Sequence, residues 1–239
     1  MIACVFGASG GIGKALVARL SASSRYSRVF ALSRKPPASL DGRAVTYLPF
    51  DLTDEASVAK AATLMAQHGP LDLVMLATGI LHDADRVRPE KSWSALDPAV
   101  MERVFAINAI GPALIAKHML PLLAKDRRAI FAALSARVGS IGDNRLGGWH
   151  SYRASKAALH MLIRNFAIEF ARRNPQGLVV ALHPGTVDTS LSQPFQRNVS
   201  PDTLLTPDQS ASHLLALLDG LEPRHSGAAF AWDGQPIPY

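Results

Sequence analysis

Tyr152 and Lys156 stand four positions apart in a segment whose apolar residues recur with helical spacing. In a helix, that spacing puts both side chains on one face, about 6 Å apart along the axis. A nearby ammonium favours the phenolate, so we expect Lys156 to lower the pKa of Tyr152 from about 10. Such a phenol can give a proton to a carbonyl oxygen, or take one from an alcohol, while a nicotinamide exchanges hydride with the carbon. A surface pair of no function has the same spacing, so this chemistry needs support from other motifs.

A glycine-rich segment near the start of the chain supplies the first support. Residues 7–13 read Gly-Ala-Ser-Gly-Gly-Ile-Gly and separate an apolar run at 2–6 from a helical pattern. Gly7 permits a tight turn, Gly11 lets a pyrophosphate approach the backbone, and Gly13 lets the helix pack close to the sheet. The free N–H groups of a helix N-terminus bind phosphate. This strand–turn–helix context predicts a dinucleotide phosphate site.

The end of the second apolar run indicates which dinucleotide binds. NAD-binding folds place an acidic residue there, which accepts a hydrogen bond from the ribose 2′-OH. This chain has Ser33, Arg34 and Lys35 instead. Arg34 can clamp a 2′-phosphate in a forked geometry, and Ser33 adds a hydroxyl donor. We therefore expect NADP(H) to be preferred and NAD(H) to be possible, with an ordinary basic turn as the alternative interpretation.

Apolar runs typical of strands alternate with helical patterns along the whole chain. The strand-like runs lie at 2–6, 29–32, 45–48, 71–77, 129–134, 178–182 and 228–232. The helical patterns lie at about 12–20, 54–67, 98–124, 151–173 and 207–219. This alternation predicts a Rossmann-type, doubly wound α/β fold, with helices on both faces of a mostly parallel seven-stranded sheet.

No linker or repeat divides the chain, so we predict a single domain over residues 1–239. The longest stretch without clear periodicity is about 186–206, which is rich in Ser, Pro, Gln and Asn. In a compact domain such a stretch is more often a functional lid than a linker, and a surface loop is the alternative. Its apolar residues Leu191, Pro194, Phe195 and Val199 indicate a lid over a partly hydrophobic substrate.

Composition argues against several other classes of protein. Of the 239 residues, one is a cysteine (Cys4), and the eight histidines show no zinc-binding spacing, so we expect no metal site. The net charge of +6 comes from dispersed basic residues, which argues against nucleic-acid binding. No segment has the roughly 18–20 uninterrupted apolar residues of a membrane span. A signal peptide is also lacking, so we predict a cytoplasmic location.

The combination Gly7-x-x-x-Gly11-x-Gly13 and Tyr152-x-x-x-Lys156 resembles the short-chain dehydrogenase/reductase family, over the whole chain. The segments 139–148 and 233–238 are similar to the C-factor and sniffer-type carbonyl reductase subgroup. The resemblance implies hydride transfer between nicotinamide and a small carbonyl or alcohol substrate. Tyr152 would be the acid/base, and Lys156 would tune it and hold the nicotinamide ribose. A homodimer or homotetramer, formed through helices near 108–124 and 151–173, is also implied.

The resemblance implies roles for further residues. Asn108 matches an asparagine that helps to carry a proton relay to the lysine. The pair at 51–52 matches one that contacts adenine, and 183–189 matches a segment that contacts the nicotinamide carboxamide. Motifs and resemblance together predict these coenzyme-binding residues: Gly7, Ser9, Gly11, Ile12, Gly13, Ser33, Arg34, Asp51, Leu52, Ala77, Thr78, Gly79, Tyr152, Lys156, Pro184, Gly185, Val187 and Thr189.

Two departures from the family pattern matter. Strand four usually ends Asn-Asn-Ala-Gly, whereas residues 76–79 read Leu-Ala-Thr-Gly, so Thr78 or water must brace this edge. The serine that binds the substrate carbonyl is replaced by Ala136. Ser135 is the first candidate to replace it and Ser140 the next, and a site that uses neither stays open. Neighbouring strand residues face opposite ways, so Ser135 can serve only where the strand bends.

The displaced serine, with the resemblance to C-factor, leaves a second function open. C-factor is associated with intercellular signalling. The alternative to an enzyme is therefore a dinucleotide-binding sensor or a C-factor-like signalling protein with weak or no turnover.

Overall fold

The computed structural model describes residues 1–35, 44–83, 86–200 and 203–239. The strands are β1 (Ile2–Phe6), β2 (Arg28–Ser33), β3 (Val45–Pro49), β4 (Leu73–Leu76), β5 (Ile130–Leu134), β6 (Leu178–His183), β7 (Thr186–Val187), β8 (Leu204–Leu205), β9 (Ala229–Ala231) and β10 (Pro236–Ile237). The helices are α1 (Gly11–Ala22), α2 (Glu55–Ala66), α3 (Pro98–Phe105), α4 (Gly111–Met119), α5 (His150–Ala171) and α6 (Pro207–Gly220). A π-helix, Ala106–Ile110, joins α3 to α4.

The main sheet confirms the predicted doubly wound architecture. Its strand order is β10-β9-β6-β5-β4-β1-β2-β3, and all neighbours pair in parallel except β9 and β10. The seven predicted strands are therefore present, and the described chain adds β10 as an eighth. Its two residues are too short to give a periodic pattern, and they pair antiparallel at the edge beside β9.

The continuous apolar runs arise because the strands are buried on both faces. In β1, Cys4 and Phe6 face the core layer that contains residues of α2, α4 and α5, whereas Ala3 and Val5 face the layer that contains α1 and α6. Every residue of β4 and β5 is buried. Such strands lack the alternation of half-exposed sheets, as expected for a parallel sheet between helical layers.

The predicted lid is partly ordered into short elements. The residues Thr186–Val187 pair in parallel with Leu204–Leu205, and a 3-10 helix spans Gln193–Asn198. Residues 201–202 of the predicted lid lie outside the described residues. The two ends of this stretch thus form a small separate sheet, although the sequence there shows no clear periodicity.

One helical stretch, Pro98–Leu122, is long and apolar enough by length and composition alone to cross a membrane. It carries α3, the π-helix and α4, and it packs on α5 and α2 within the helical layer. The buried residues Ile115, Ala116 and Met119 belong to the same core layer as β1 and β4. Packing against the sheet therefore accounts for its apolar composition.

Candidate active site

The carboxyl ends of β1, β4, β5 and β6 meet at one edge of the sheet, where ligands bind in folds of this kind. Gly7, at the end of β1, has φ +85°, and a Cβ there would lie 2.7 Å from the carbonyl oxygen of Ala77. A side chain on Gly13 would collide with the backbone oxygen of Gly7. These two glycines let the turn and the start of α1 close tightly onto the sheet. The helix N-terminus is thus directed at the groove above the sheet edge.

A cavity of about 470 Å³ forms the first part of this groove. It is lined by predicted coenzyme-binding residues from four elements: Gly7, Ser9, Ser33, Arg34, Asp51, Leu52, Ala77, Thr78 and Gly79. Hydrogen bonds from the backbone N–H and hydroxyl of Thr53 hold the pKa of Asp51 below its ordinary value, and the charge of Arg34 adds to the effect. Arg34 therefore stands within electrostatic reach of the Asp51 carboxylate. The hydroxyl of Ser33 donates to the backbone oxygen of Lys35 and shapes this turn.

Thr78 and Gly79 line the groove after β4. The hydroxyl oxygen of Thr78 is buried and has no hydrogen-bond partner among the described residues, although most buried polar atoms have one. Beside it, Gly79 leaves open space below Lys156 and Asn108, since a Cβ there would meet only their polar atoms at 3.5–3.6 Å. An unpaired hydroxyl at this edge suits a polar ligand. Thr78 thus shows no sign of bracing the edge as the missing amides would.

Tyr152 and Lys156 share one face of α5, as predicted, and both are buried. The ammonium nitrogen lies 5.8 Å from the centroid of the phenol ring and donates to the backbone oxygen of Leu134 at 3.0 Å. Burial lowers the pKa of Lys156 to about 8. The expected fall in the pKa of Tyr152 is wrong for this arrangement, because burial of the phenol raises that pKa instead. Tyr152 is therefore held as a neutral phenol, which suits proton donation.

Asn108 is fully buried in the π-helix and joins three segments of the site. Its Oδ1 accepts from the backbone N–H of Ile80 at 2.8 Å, and its Nδ2 donates to the oxygen of Ile80 at 2.8 Å and to Ser155 Oγ at 3.2 Å. These bonds tie the loop after β4 to α5, one residue before Lys156. Asn108 therefore fixes the backbone of Ile80 beside α5.

Ala136 and the two candidate serines, Ser135 and Ser140, have different surroundings. Ala136 packs in one small cluster with Tyr152 and Leu81. Ser135 lines the same cavity as Tyr152, and its Oγ lies 2.8 Å from Nε2 of the buried His160. Ser140 accepts the backbone N–H of Asp143 at 3.1 Å and shapes its own loop. Ser135 thus stays the serine that shares a cavity wall with Tyr152.

His160 is a residue that the sequence did not point out. It lies one helical turn beyond Lys156 on α5, and burial together with the charge of Lys156 lowers its pKa to about 4. The imidazole is therefore neutral near pH 7. In the tautomer with the proton on Nε2, His160 donates to Ser135 and leaves the hydroxyl proton of Ser135 free for a ligand; in the other tautomer Ser135 donates to His160.

A second cavity, of about 360 Å³, adjoins Tyr152 on the other side. Its walls are mainly apolar and come from the loops after β4, β5 and β6 and from the predicted lid: Leu81, Ala136, Val138, Trp149, Tyr152, Pro184, Val187, Leu191, Phe195 and Val199. The ring of Phe195 lies 4.9 Å from that of Trp149. Pro194 is the second residue of the 3-10 helix that carries Phe195. This cavity suits the apolar body of a substrate.

A smaller cavity connects the two larger ones. It shares Thr78 and Gly79 with the first cavity and Ile12, Ser135, Tyr152, Pro184 and Thr189 with the second, and Gly11 and Lys156 line it as well. Thr189 approaches Gly11 so closely that a Cβ at Gly11 would lie 2.7 Å from its methyl carbon. Gly185, with φ +82°, and Val187 line the apolar cavity. The predicted residues thus line one continuous groove, and Gly13 lies beneath it. The groove passes a buried phenol at its centre.

Comparison with known proteins identifies what this arrangement is similar to. The family model described as "short chain dehydrogenase" matches residues 1–200. C-signal of Myxococcus xanthus is 35% identical over 175 residues, covering 72% of this chain and 94% of that protein. The 1-hydroxy-2-glutathionyl-2-methyl-3-butene dehydrogenase of Rhodococcus sp. (strain AD45) is 33% identical over 232 residues, covering 96% of each. The NADPH-bound carbonyl reductase from chicken fatty liver superposes with a TM-score of 0.83 at 27% identity, covering 99% of this chain and 98% of that one.

Proposed function

Because the chain belongs to the short-chain dehydrogenase family, we propose that it is an NADP(H)-dependent oxidoreductase that interconverts a carbonyl and an alcohol. The observation that carries this proposal is the position of Tyr152. Its phenol lines both the narrow part of the groove and the apolar cavity, so it adjoins a coenzyme on one side and a substrate on the other. The carbonyl reductase and dehydrogenase names of similar proteins support the same reaction class.

NADP(H) is the coenzyme that the chemistry of the groove favours. Arg34 lines its adenosine end, and the residues at the end of β2, Ser33, Arg34 and Lys35, offer no carboxylate to accept a ribose hydroxyl. The guanidinium offers the forked donors that suit a phosphate. The bound NADPH of the chicken carbonyl reductase supports this preference.

In the reaction that we propose, the nicotinamide supplies or takes up the hydride when it is bound. Tyr152 donates its proton to the carbonyl oxygen in reduction, for which its raised pKa keeps the phenol protonated near pH 7, and it accepts a proton in oxidation. Lys156, fixed by its bond to the oxygen of Leu134, places a positive charge beside the phenol and stabilises the phenolate that forms. The apolar walls of the second cavity exclude water from this step.

Loss of NADPH absorbance with a panel of aldehydes, ketones and quinones tests the proposal. We expect turnover by the wild-type protein and loss of at least about 10²-fold in kcat for Tyr152→Phe, since that variant lacks the acid. Tyr26→Phe is the matched control, because Tyr26 lines a different cavity, beside Met1 and Arg128. Equal turnover by Tyr152→Phe would contradict the assignment of Tyr152 as acid.

A sensor or signalling role is the second candidate function. It is supported by Ala136, which places a methyl group beside Tyr152, and by the similarity to a protein named C-signal. Tight NADPH binding without turnover across the substrate panel would favour it. An efficient carbonyl substrate would contradict it.

We also propose that the chain forms a homodimer or homotetramer. Apolar side chains are exposed on α5 and at the end of the π-helix before α4, with Met161 62%, Ile168 46% and Ile110 55% accessible. A cavity of about 700 Å³ between α4 and α5 is lined by apolar residues such as Leu162 and by charged ones such as Lys117. Exposed apolar side chains on neighbouring helices are typical of an association surface.

A further inference from the structure

Glu90 is a buried carboxylate that the proposed chemistry does not use. It lies between β4 and the 3-10 helix Trp93–Ala95, and only 4% of it is exposed. Its two carboxylate oxygens accept hydrogen bonds from Ser151: Oε2 from the backbone N–H at 3.2 Å, and Oε1 from the hydroxyl. Its backbone oxygen accepts the N–H of Trp149 at 2.5 Å. Three hydrogen bonds therefore join this segment to the residues directly before Tyr152.

The start of α5 lacks the features that usually stabilise a helix N-terminus. Trp149 occupies the N-cap position with φ 50° and ψ 42° and makes no capping hydrogen bond through its side chain. Gly147 and Gly148 precede it with φ of +62° and +65°, so three left-handed residues lead into the helix. The first turn of α5 contains no acidic residue. Glu90 supplies from another segment both the acceptor and the negative charge that this helix start needs.

The first turn of α5 positions both the proposed acid, Tyr152, and a wall of the apolar cavity, Trp149. Tyr152 follows Ser151 directly, and the ring of Trp149 lies 6.3 Å from that of Tyr152. Trp149 also forms a wall of the apolar cavity against Phe195. A displacement of this turn would therefore move the phenol and the substrate wall together. Misplacement of a reacting group by about 1 Å can cost on the order of 10²-fold in rate.

We propose that Glu90 is a positioning residue for the reaction: its buried carboxylate clamps the first turn of α5 and fixes Tyr152 and Trp149 relative to the substrate. This inference rests on the oxidoreductase function proposed above. The position of the phenol of Tyr152 would then depend on Glu90, which lies 61 positions before its partner Ser151 in the sequence.

Steady-state kinetics of Glu90 variants test the clamp. We expect Glu90→Ala to lower kcat by about 10–100-fold, while the NADPH dissociation constant changes by less than about threefold, because phosphate and adenosine contacts lie elsewhere. Glu90→Gln should recover most of kcat, since its amide oxygen can accept the Ser151 N–H and its amide NH₂ can donate to the Ser151 hydroxyl. Glu169→Ala is the matched control, because Glu169 is exposed near the other end of α5.

A second substitution separates positioning from loss of fold. Ser151→Ala removes only the hydroxyl partner and should lower kcat less than Glu90→Ala does. The double variant should be no slower than Glu90→Ala alone, because both changes remove the same interaction. Additive losses, wild-type kcat in Glu90→Ala, or a Glu90→Gln variant as slow as Glu90→Ala would each overturn the proposal.

Hydrogen exchange gives a readout that does not depend on turnover. If the clamp holds this turn, the amide hydrogens of peptides covering residues 149–156 should exchange at least about tenfold faster in Glu90→Ala than in the wild-type protein. Their exchange rate should be unchanged in Glu169→Ala. A wild-type protein without turnover would contradict the proposed function, and faster exchange in Glu90→Ala would still support the clamp. Unchanged exchange in Glu90→Ala would overturn the clamp, whatever the activity.

Discussion

Ala136 and Tyr152 belong to one small apolar cluster, together with Leu81, and all three line the apolar cavity. The neighbouring Ser135 turns its hydroxyl to His160. A substrate oxygen bound beside the phenol would therefore meet the methyl group of Ala136, at the position where the family resemblance implies a serine hydroxyl. A single hydroxyl donor to a developing oxyanion stabilises the transition state by roughly 2.7–4 kcal/mol where it is well placed.

We expect Ala136→Ser to raise kcat/KM for carbonyl substrates by about tenfold or more, because it adds a donor beside Tyr152. Initial rates with NADPH at saturation measure this gain. Ala136→Val, which adds volume without a donor, is the control and should lower the rate. A gain of similar size in Ala136→Val would show that cavity shape rather than hydrogen bonding limits the rate.

Ser135→Ala tests whether the present chain already uses a hydroxyl. Where Ser135 polarises the carbonyl with His160 as its partner, kcat should fall by about 10²-fold. In the Ala136→Ser background, Ser135→Ala should then lower kcat much less, because the hydroxyl of the new serine replaces that of Ser135. Wild-type kcat in Ser135→Ala would indicate that Tyr152 alone polarises the carbonyl.

Lys156 links stability to pH. Its pKa is lowered from 10.5 to about 8 in the folded chain, so the unfolded chain binds the proton more tightly. Stability therefore rises as the pH increases from about 8 to 10.5, and the full cost of the buried ammonium is present below about 8. We expect Lys156→Met to abolish turnover yet raise the free energy of unfolding by about 1–3 kcal/mol at pH 6.5.

Urea unfolding at pH 6.5 and pH 10.5 measures this effect. At pH 10.5 the gain from Lys156→Met should largely disappear, since the wild-type lysine is neutral in the folded chain. Lys14→Met, an exposed substitution on α1, is the control and should leave the pH dependence unchanged. A gain in stability that is equal at both pH values would contradict a buried charge as its cause.

Most of the fold follows from local sequence patterns. The buried strands β1, β4 and β5 are predictable because every residue of the run is apolar, and α2 (Glu55–Ala66) lies within the helical pattern predicted at about 54–67. Strand β10 and the small sheet β7–β8 escape prediction because two residues carry no period. The glycines of the groove are predictable because each is required by local geometry: a tight turn, the approach of a phosphate, or close packing of a helix on the sheet.

The remaining features of the site depend on long-range packing. Glu90 stands between Pro89 and Lys91 in a polar loop, and nothing near it in the sequence indicates that it reaches Ser151. His160 is one of several polar residues of α5 until the fold places it behind Ser135. The pKa of Tyr152 was predicted in the wrong direction because spacing reveals the neighbouring charge, whereas the depth of burial requires the tertiary structure.

Arg34 should decide coenzyme preference. We expect Arg34→Ala to raise the dissociation constant for NADPH by at least about tenfold and to leave that for NADH within about twofold, because only NADPH carries the 2′-phosphate. Fluorescence titration of both coenzymes measures the ratio. Arg19→Ala is the control, since Arg19 pairs with Asp208 outside the groove. Equal weakening for the two coenzymes would contradict recognition of the 2′-phosphate by Arg34.

Thr78 should show opposite effects on stability and binding. Its buried hydroxyl has no hydrogen-bond partner in the part of the chain that the structure describes, so Thr78→Val should raise the free energy of unfolding of the coenzyme-free protein by about 1 kcal/mol. The same change should weaken NADPH binding, because it removes a polar group from the groove. Thermal unfolding with and without NADPH measures both. Unchanged NADPH affinity would indicate that the hydroxyl faces away from the coenzyme.

The exposed face of α5 should control assembly. Ile168 is 46% accessible on the surface that we propose as the association face. A charge placed there would be buried on association without a partner, which is strongly unfavourable. We therefore expect the wild-type chain to elute as a dimer or tetramer in size-exclusion chromatography with light scattering, and Ile168→Glu to elute as a monomer.

Leu146→Glu is the control, because Leu146 is 90% accessible but lies in the loop before α5. Dissociation caused by Leu146→Glu and not by Ile168→Glu would place the interface at that loop instead.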